Sequence, residues 1–256
     1  MKKRVEDLTI ACNQHLEGDF ILLELEAEGS LPEIIPGQFV EVKIEGSPNT
    51  FLRRPYSIFT VNYPKNTISL LIKIVGEGTL TLSRMETGGK LNLIYPLGNG
   101  FTVNDKQGVL FVAGGYGIAP FMYFAEKLQK KNIRPTFLFG TRTKTDLVML
   151  DKYKELGDLY ITTEDGSLGE KGLVIQHSIL DENKESFEMI YTCGPEMMMK
   201  AVGRYAKSNN IECEISLDNL MACGIGACLC CVTETRDGNK MTCTEGPVFN
   251  LKELTW

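Results

Sequence analysis

The sequence predicts a multidomain β plus α/β protein, with an N-terminal antiparallel β-barrel, a parallel α/β domain and a small cysteine-rich subdomain at the C-terminal end. Three observations support this order. Turn-bounded, β-rich segments extend to about residue 103, apolar strands then alternate with helical stretches, and a dense run of cysteines follows. We therefore expect domains at residues 1–103, 104–211 and 212–256.

The first domain is predicted from short segments rich in β-branched and aromatic residues. Residues 20–27, 39–44 and 67–75 partly alternate in polarity and are bounded by Gly, Pro and Asn. Several short strands within the first 103 residues favour a small antiparallel barrel.

The second domain is predicted from a repeated rhythm of strands and helices. A continuous apolar segment at residues 109–113 precedes glycines and an amphipathic stretch. Residues 136–140, 159–163 and 188–192 repeat the strand signal, with helical stretches between them. This alternation is typical of a parallel sheet covered by helices.

Composition limits the classes of function. The chain is 43% hydrophobic and 23% charged, as in an ordinary globular protein. Its net charge of -6 argues against nucleic acid as a partner, because no basic stripe is present to neutralise phosphates. No apolar run approaches the roughly 20 residues needed to span a bilayer. Since no signal segment is visible at the N-terminus, we expect a cytoplasmic protein with reduced cysteines.

The cysteine-rich segment carries the most specific signal. Taking Cys223, Cys228, Cys231 and Cys243 as ligands gives the spacing C-x4-C-x2-C-x11-C. This is the opening spacing typical of plant-type [2Fe-2S] ferredoxins, in which four thiolates hold two irons. Glycines between the first two cysteines allow a tight loop whose amides point at the cluster. We therefore predict that these four cysteines bind a [2Fe-2S] cluster.

Two other interpretations of the cysteines are a disulfide framework and a zinc site. Disulfides need an oxidising compartment, and zinc sites favour paired C-x2-C knuckles or Cys/His sets, whereas this chain has only His15 and His177 as histidines. Cys230 could also replace Cys228 or Cys231 as a ligand. Because neighbouring side chains diverge in an extended segment, we expect only one of Cys230 and Cys231 to face the cluster.

A second motif, R-R-P-Y-S-I at residues 53–58, leaves a short loop and enters a predicted strand. Alone it is weak, but residues 71–73 lie on a later strand and residues 76–79, G-E-G-T, open a helix. Together they resemble the FAD-binding pattern of the ferredoxin–NADP reductase superfamily. In that pattern the Arg binds the pyrophosphate, Tyr and Ser contact the isoalloxazine, and the G-x-G-T amides hold phosphates. The resemblance implies FAD-binding roles for Arg54, Pro55, Tyr56, Ser57, Leu71, Ile72, Lys73, Gly78 and Thr79.

A third motif, G-G-Y-G at residues 114–117, follows the apolar strand of the second domain. We expect a helix to begin near Ile118 with free amides for a pyrophosphate, although such a turn can also reflect close packing alone. Residues 193–198 read C-G-P-E-M-M and match the superfamily motif C-G-P-x-x-M, whose Cys lies beside the nicotinamide C4. The alternative for this cysteine is a buried small hydrophobe. The resemblance implies NAD binding by Gly114, Gly115, Gly117, Gly194 and Pro195, and a catalytic role for Cys193.

The choice between NAD and NADP depends on charges after the second and third strands of this domain. Arg142 and Lys144 could bind a 2′-phosphate. Asp146, Glu164 and Asp165 crowd the following loops and would oppose it. We therefore expect NAD.

With these motifs in order, essentially the whole chain resembles the electron-transfer subunits of the two-subunit, NAD-linked dihydroorotate dehydrogenases. The phrases that carry the resemblance are L-R-R-P-Y-S-I at 52–58, P-L-G-N-G-F at 96–101, E-D-G-S-L-G at 164–169, M-A-C-G-I-G-A-C at 221–228 and E-G-P-V-F at 245–249. Cys230 departs from the family pattern, which more often has a small residue there.

The resemblance implies FAD, a [2Fe-2S] cluster and NAD as cofactors, and an FMN-containing dihydroorotate dehydrogenase catalytic subunit as partner, expected in a heterotetramer. Electrons would pass from the partner's FMN through the cluster and FAD to NAD+ in de novo pyrimidine (UMP) biosynthesis, with orotate chemistry confined to the partner. One alternative is the small subunit of an NAD(P)H–ferredoxin oxidoreductase or a sulfide dehydrogenase. Another is a redox sensor with degenerate flavin motifs.

Overall fold

The computed structural model describes residues 3–256, and its N-terminal part forms a seven-stranded sheet. The strands are β1 (Arg4–Leu16), β2 (Phe20–Glu26), β3 (Phe39–Val42), β4 (Arg54–Ser57), β5 (Thr60–Asn62), β6 (Thr67–Lys73) and β7 (Lys90–Leu97), with helix α1 (Glu77–Ser83) between the last two. Their order is β4-β3-β7-β1-β2-β6-β5, and all pairs are antiparallel. Strands β4 and β6 also contact each other, so the sheet curls. The predicted antiparallel β fold of this part is confirmed.

Side-chain alternation decides what each face of this sheet contacts. Successive strand residues point to opposite faces, so Val40 and Val42 of β3 enter the core inside the curled sheet. Phe39 lies on the opposite face, where it packs with Cys231 and Cys243 of the C-terminal segment. The outer face of β3 therefore supports the cysteine-rich segment.

A second seven-stranded sheet follows. Its strands are β8 (Val109–Gly114), β9 (Thr136–Thr141), β10 (Asp158–Thr163), β11 (Glu170–Lys171), β12 (Met189–Cys193), β13 (Glu212–Ser216) and β16 (Val248–Asn250). A separate hairpin of β14 (Val232–Thr235) and β15 (Gly238–Met241) lies between β13 and β16 in the chain. The helices are α2 (Phe121–Gln129), α3 (Leu150–Leu156), α4 (Ile179–Glu182) and α5 (Glu196–Ser208). The order is β11-β10-β9-β8-β12-β13-β16, parallel except for the last pair. The predicted parallel α/β domain is confirmed.

Two local features differ from expectation. Strand β13 pairs with β12, and β16 pairs with β13, so the segment expected as a separate 212–256 subdomain contributes two strands to the second sheet. Both strands carry buried apolar side chains such as Ile215 and Phe249, which need the cover that this sheet provides. The helix expected near Ile118 is first a 3-10 turn over Gly115–Ile118, and α2 begins only at Phe121.

The two sheets share one hydrophobic core. Phe20, Phe59 and Phe101 from the first half of the chain are buried in the same cluster as Phe111 and Phe121 of the second. Phe101 stacks on Phe121 with ring centroids 5.6 Å apart. Each such buried aromatic side chain stabilises the fold by roughly 1.5–3 kcal/mol relative to exposure. The shared core fixes the position of one sheet against the other.

Parallel pairing brings the sequence motifs of the second domain together. Cys193 pairs with Ala113 across β12 and β8, and Gly114 pairs with Gly140 across β8 and β9. The loops that follow these strands therefore leave the same edge of the sheet, as is usual for ligand sites in α/β proteins. None of the helices in residues 3–256 combines the length and the apolar character that crossing a bilayer requires.

Candidate functional site

A cavity of about 760 Å³ lies between the two sheets. This volume is in the range of cofactor pockets. Its wall on the N-terminal side includes the nine residues to which the resemblance gives an FAD-binding role, namely Arg54, Pro55, Tyr56, Ser57, Leu71, Ile72, Lys73, Gly78 and Thr79. The opposite wall includes Gly117, Cys193 and Gly194 of the nicotinamide motif. The structure thus brings residues from both motifs around one space.

The two adjacent arginines of the flavin motif have different roles in the fold. Arg53 turns away from the cavity: its Nη1 donates to the carbonyl oxygens of Asn92 at 2.9 Å and Glu41 at 3.2 Å. Arg54 lines the cavity, and its Nη1 donates to the carbonyl oxygen of Leu52 at 3.1 Å. Arg53 therefore ties strands together, while Arg54 is the arginine available to an anionic group in the cavity.

The remaining flavin-motif residues form a mixed polar and apolar wall. Burial raises the pKa of the Tyr56 phenol, although Arg54 opposes this, so the hydroxyl stays neutral. The hydroxyl of Thr79 accepts hydrogen bonds from the amides of Val75 at 2.9 Å and Gly76 at 3.1 Å and so closes the loop before α1. Lys73 lines the cavity and forms an ion pair with Asp146 of the second domain.

Glycines let the two nicotinamide-motif loops touch. A Cβ on Gly117 would lie 2.4 Å from the carbonyl oxygen of Cys193. A Cβ on Gly114 would lie 2.7 Å from the Sδ of Met198, and Gly194 has a φ of +147°. Any side chain at these positions would separate the loops, so close packing alone requires glycine here.

Cys193 is buried at the contact between these loops. Burial, helped by the charge of Asp218, raises the pKa of its thiol to about 12. The thiol therefore stays protonated at neutral pH, and it can position a ligand without exchanging a proton. Gly114, Gly115 and Pro195 line a second cavity of about 850 Å³ beside the first.

Some of the acidic side chains expected to decide between NAD and NADP already make contacts within the chain. Asp146 forms an ion pair with Lys73, so its charge is neutralised and it would not oppose a 2′-phosphate as expected. The Oδ1 of Asp165 accepts the amide of Ser167 at 2.9 Å. Glu164 and Asp165 are both exposed, and Glu164, whose carboxylate has no hydrogen bond or ion pair within residues 3–256, is the one best able to meet a ribose.

Backbone amides of the cysteine loop converge on sulfur atoms. The Sγ of Cys223 accepts the amides of Ile225 at 3.5 Å, Ala227 at 3.3 Å and Cys228 at 3.4 Å. Burial opposes ionisation of Cys223, but these hydrogen bonds lower its pKa to about 6. A thiolate held by amides is what an iron–sulfur cluster needs. The loop therefore fits the cluster that its spacing predicts.

The other cysteines form a second pair on the same side of β3. The Sγ of Cys231 accepts the amide of Cys243 at 3.4 Å, and both side chains are buried. Besides burial, Cys231 and, more weakly, Cys223 both raise the pKa of the Cys243 thiol, so the first and last cysteines of the motif lie near each other. Cys230 is exposed.

The separation of Cys230 from Cys231 has a different cause from the one expected. The segment is a turn and not an extended strand, and Leu229 before it has a φ of +59°. Within this turn Cys231 is buried and Cys230 is exposed.

Sequence reasoning missed Glu41, which lies beneath the cysteine loop. Its side chain is 0% exposed, and neither carboxyl oxygen has a hydrogen-bond partner in the described residues. Burial raises its pKa to about 7, against the effect of Arg53. A Cβ on Gly224 would lie 2.6 Å from the Cγ of Glu41, and Gly224 has a φ of +65°. The sequence signal that could have found it is a single acid, Glu41, within the otherwise apolar strand Phe39–Val42.

The Glu41 carboxyl should make stability fall as pH rises. Its pKa is above the ordinary value of 4.5, so the folded chain keeps the proton between pH 4.5 and about 7 while the unfolded chain loses it. Glu41→Gln removes this titration. As the pH rises from 5 to 8, we expect the free energy of unfolding of the variant to increase relative to that of the parent by on the order of 2 kcal/mol, after allowance for solvent screening. Urea unfolding midpoints at several pH values measure the difference. Glu86→Gln, at an exposed carboxyl, is the control, and a pH-independent difference for Glu41→Gln would contradict the expectation.

Comparison with known proteins agrees with this geometry. The chain matches the models of an oxidoreductase FAD-binding domain at residues 8–101 and an oxidoreductase NAD-binding domain at residues 111–204. Residues 218–255 match the iron–sulfur cluster binding domain of dihydroorotate dehydrogenase B.

Relatives match over nearly the whole chain. The electron transfer subunit of dihydroorotate dehydrogenase B (NAD(+)) from Caldanaerobacter subterraneus subsp. tengcongensis is 37% identical over 249 residues, which are 96% of either chain. The subunit of the same name from Bacillus cereus strain Q1 is 36% identical and covers 91% of this chain and 92% of its own length.

Solved structures share the architecture. An NADH-dependent reduced ferredoxin–NADP oxidoreductase, studied for flavin-based electron bifurcation, superposes with a TM-score of 0.85 at 28% identity, covering 97% of this chain and 90% of its own. The ferredoxin reductase of carbazole 1,9a-dioxygenase has a TM-score of 0.70 at 20% identity and covers 82% of this chain and 67% of its own. The second likeness concerns the fold alone.

The curled sheet, the parallel sheet and the cavity between them define a flavin- and nicotinamide-binding oxidoreductase of the ferredoxin-reductase-like fold, extended by an iron–sulfur domain. The chain belongs to the family of dihydroorotate dehydrogenase B electron transfer subunits. The predicted family is confirmed, as are its three cofactors: FAD, NAD and the iron–sulfur cluster.

Proposed function

We propose that this chain passes electrons from the FMN of a dihydroorotate dehydrogenase catalytic subunit, through a [2Fe-2S] cluster and FAD, to NAD+ in de novo pyrimidine biosynthesis. One observation carries the proposal: the cysteine loop adjoins the cavity that both nucleotide motifs line. Leu220 and Met221, three and two residues before Cys223, are part of the cavity wall, as is Pro247, four residues after Cys243. The electron carriers would thus be held side by side.

The residues divide into three proposed sites, one in each of the segments 1–103, 104–211 and 212–256. FAD would be held by Arg54, Pro55, Tyr56, Ser57, Leu71, Ile72, Lys73, Gly78 and Thr79. NAD would be held by Gly114, Gly115, Gly117, Gly194 and Pro195, with Cys193 beside the reacting carbon. The cluster would be ligated by Cys223, Cys228, Cys231 and Cys243.

FAD, when bound, links the two-electron hydride chemistry of nicotinamide to the one-electron chemistry of an iron–sulfur cluster. The chain itself supplies binding and position. Arg54 brings a positive charge to the pyrophosphate, and the neutral Tyr56 and Cys193 line the cavity without adding charge. Amides around Cys223 stabilise negative charge on sulfur.

The partner would bind over the cysteine loop. Ile225 is 50% exposed and Leu229 is 61% exposed, so the outer surface of the loop is apolar. A cluster behind this surface would be close to a subunit bound there. We propose a cytoplasmic heterotetramer made of two copies of each subunit.

Co-purification tests this function. The chain is co-expressed with an untagged FMN-containing dihydroorotate dehydrogenase, purified, and assayed for NAD+ reduction that depends on dihydroorotate. We expect a complex that contains FMN, FAD and iron, and activity that is lost when this chain is omitted. A stable complex without dihydroorotate-dependent NAD+ reduction would contradict the proposal.

A second candidate is the small subunit of an NAD(P)H–ferredoxin oxidoreductase or a sulfide dehydrogenase. It is favoured by the likeness to the NADH-dependent ferredoxin–NADP oxidoreductase and by the exposed Arg142 and Lys144, which could bind a 2′-phosphate. In this case the co-purifying protein would be a larger flavoprotein with further clusters, and NADPH would reduce the FAD as well as NADH does.

Cys193→Ala should slow the reduction of FAD by NADH. Because the protonated thiol would position the nicotinamide, its loss should lower this rate about tenfold to a hundredfold through misplacement. Stopped-flow absorbance measures the rate, and the control is reduction of the cluster by a chemical donor, which should keep the parental rate. If both rates fall, or neither falls, Cys193 serves only in packing.

A further inference from the structure

The two cavities meet at a boundary made of four residues. Tyr116, Gly194, Leu217 and Asp218 line both the 760 Å³ cavity and the 850 Å³ cavity. Cys193 reaches this boundary from the side of the first cavity. A ligand group placed beside Cys193 would therefore lie next to the side chains of Tyr116 and Asp218.

Tyr116 and Asp218 both lie on the boundary between the two cavities, and Cys193 lines the first of them. The Asp218 charge adds to burial in raising the pKa of both the Tyr116 phenol and the Cys193 thiol. The Tyr116 ring is 54% exposed in the cleft. In the described part of the chain neither side chain has a hydrogen-bond partner, so the phenol is a free donor and the carboxylate a free acceptor.

This pair has the chemistry of a carboxamide site. A primary carboxamide carries a carbonyl acceptor and an NH2 donor on one carbon, so it needs one donor and one acceptor placed side by side. We propose that Tyr116 and Asp218 form the subsite for the carboxamide of the nicotinamide ring, with the phenol donating to its oxygen and the carboxylate accepting from its nitrogen. This rests on the proposed place of nicotinamide beside Cys193.

The proposed subsite predicts that the protein discriminates between a carboxamide and a carboxylate on the pyridine ring of the dinucleotide. Nicotinic acid adenine dinucleotide carries a carboxylate where NAD+ carries the carboxamide. Its negative charge would face Asp218, and like charges in a partly buried site repel strongly. The structure therefore predicts that the ligand must be an amide and not an acid at this position.

Calorimetric titration of the FAD- and cluster-loaded protein tests the carboxamide subsite. The two probes are NAD+ and nicotinic acid adenine dinucleotide. The parent should bind NAD+ at least tenfold more tightly than the acid analogue. Asp218→Asn should weaken NAD+ binding and strengthen analogue binding, so that the ratio of the two dissociation constants falls at least tenfold. Tyr116→Phe, which keeps the ring, should weaken NAD+ binding threefold to tenfold. Glu234→Gln, at an acid that lines only the second cavity, should leave the ratio unchanged.

The contrary results are distinct. Equal binding of the two probes by the parent, or an unchanged ratio in Asp218→Asn, would overturn the carboxamide subsite and leave the proposed function standing. A change in FAD content or flavin absorption of Asp218→Asn before nucleotide is added would assign the pair to the flavin and also overturn it. A parent that binds no NAD+ would contradict the proposed function itself.

Discussion

Single replacement of Cys223, Cys228, Cys231 or Cys243 by serine is expected to remove the visible absorption of the iron–sulfur cluster. Each change takes away one of four thiolates, and the parent should contain about two irons per chain. The largest loss is expected at Cys223, because three amides are already directed at its sulfur. Iron analysis and absorbance of anaerobically purified protein measure the effect.

Cys230→Ser is the matched control for these four variants. Cys230 lies in the same loop but outside the C-x4-C-x2-C-x11-C spacing, so its replacement should leave a full complement of iron. FAD content should stay at the parental level in all five proteins, because the flavin-motif residues are on other elements. A full cluster in Cys231→Ser together with loss in Cys230→Ser would show that the neighbouring cysteine is the ligand.

The features that sequence alone predicted well are those set by short stretches of chain. The strand signals at 109–113 and 136–140 became β8 and β9 because a continuous apolar run can be buried on both faces of a parallel sheet. The R-P-Y-S and C-G-P motifs could be found because each is a run of adjacent residues, and the structure places both around one cavity.

The features that sequence could not predict depend on contacts between distant segments. β16 joins the second sheet by pairing with β13, more than 30 residues earlier. Glu41 and Gly224 touch across most of the chain, and only the fold shows that the acid is buried without a partner. Likewise, Tyr116 was recognised only as part of a glycine motif, because its closeness to Asp218 arises where two loops meet.

The loss of FAD in Arg54→Ala is the second large effect expected. The two neighbouring arginines allow a sharp comparison. Arg54 lines the cavity, whereas Arg53 donates to the backbone of Asn92 and Glu41 and holds β3 against β7. Arg53→Ala should therefore lower the unfolding midpoint while leaving the affinity for FAD in the folded protein near the parental value.

Arg54→Ala should instead purify depleted in FAD and retain its iron. Removing a charge-assisted hydrogen bond to the pyrophosphate costs about 1.5–3 kcal/mol, which corresponds to roughly 10–100-fold weaker FAD binding. Arg54→Lys should recover only part of the affinity, because an ammonium group cannot form the two parallel hydrogen bonds of a guanidinium. Flavin released by denaturation and FAD titration of the apoprotein give the two measurements. Equal flavin content in Arg54→Ala and the parent would mean that backbone amides or Arg53 hold the pyrophosphate.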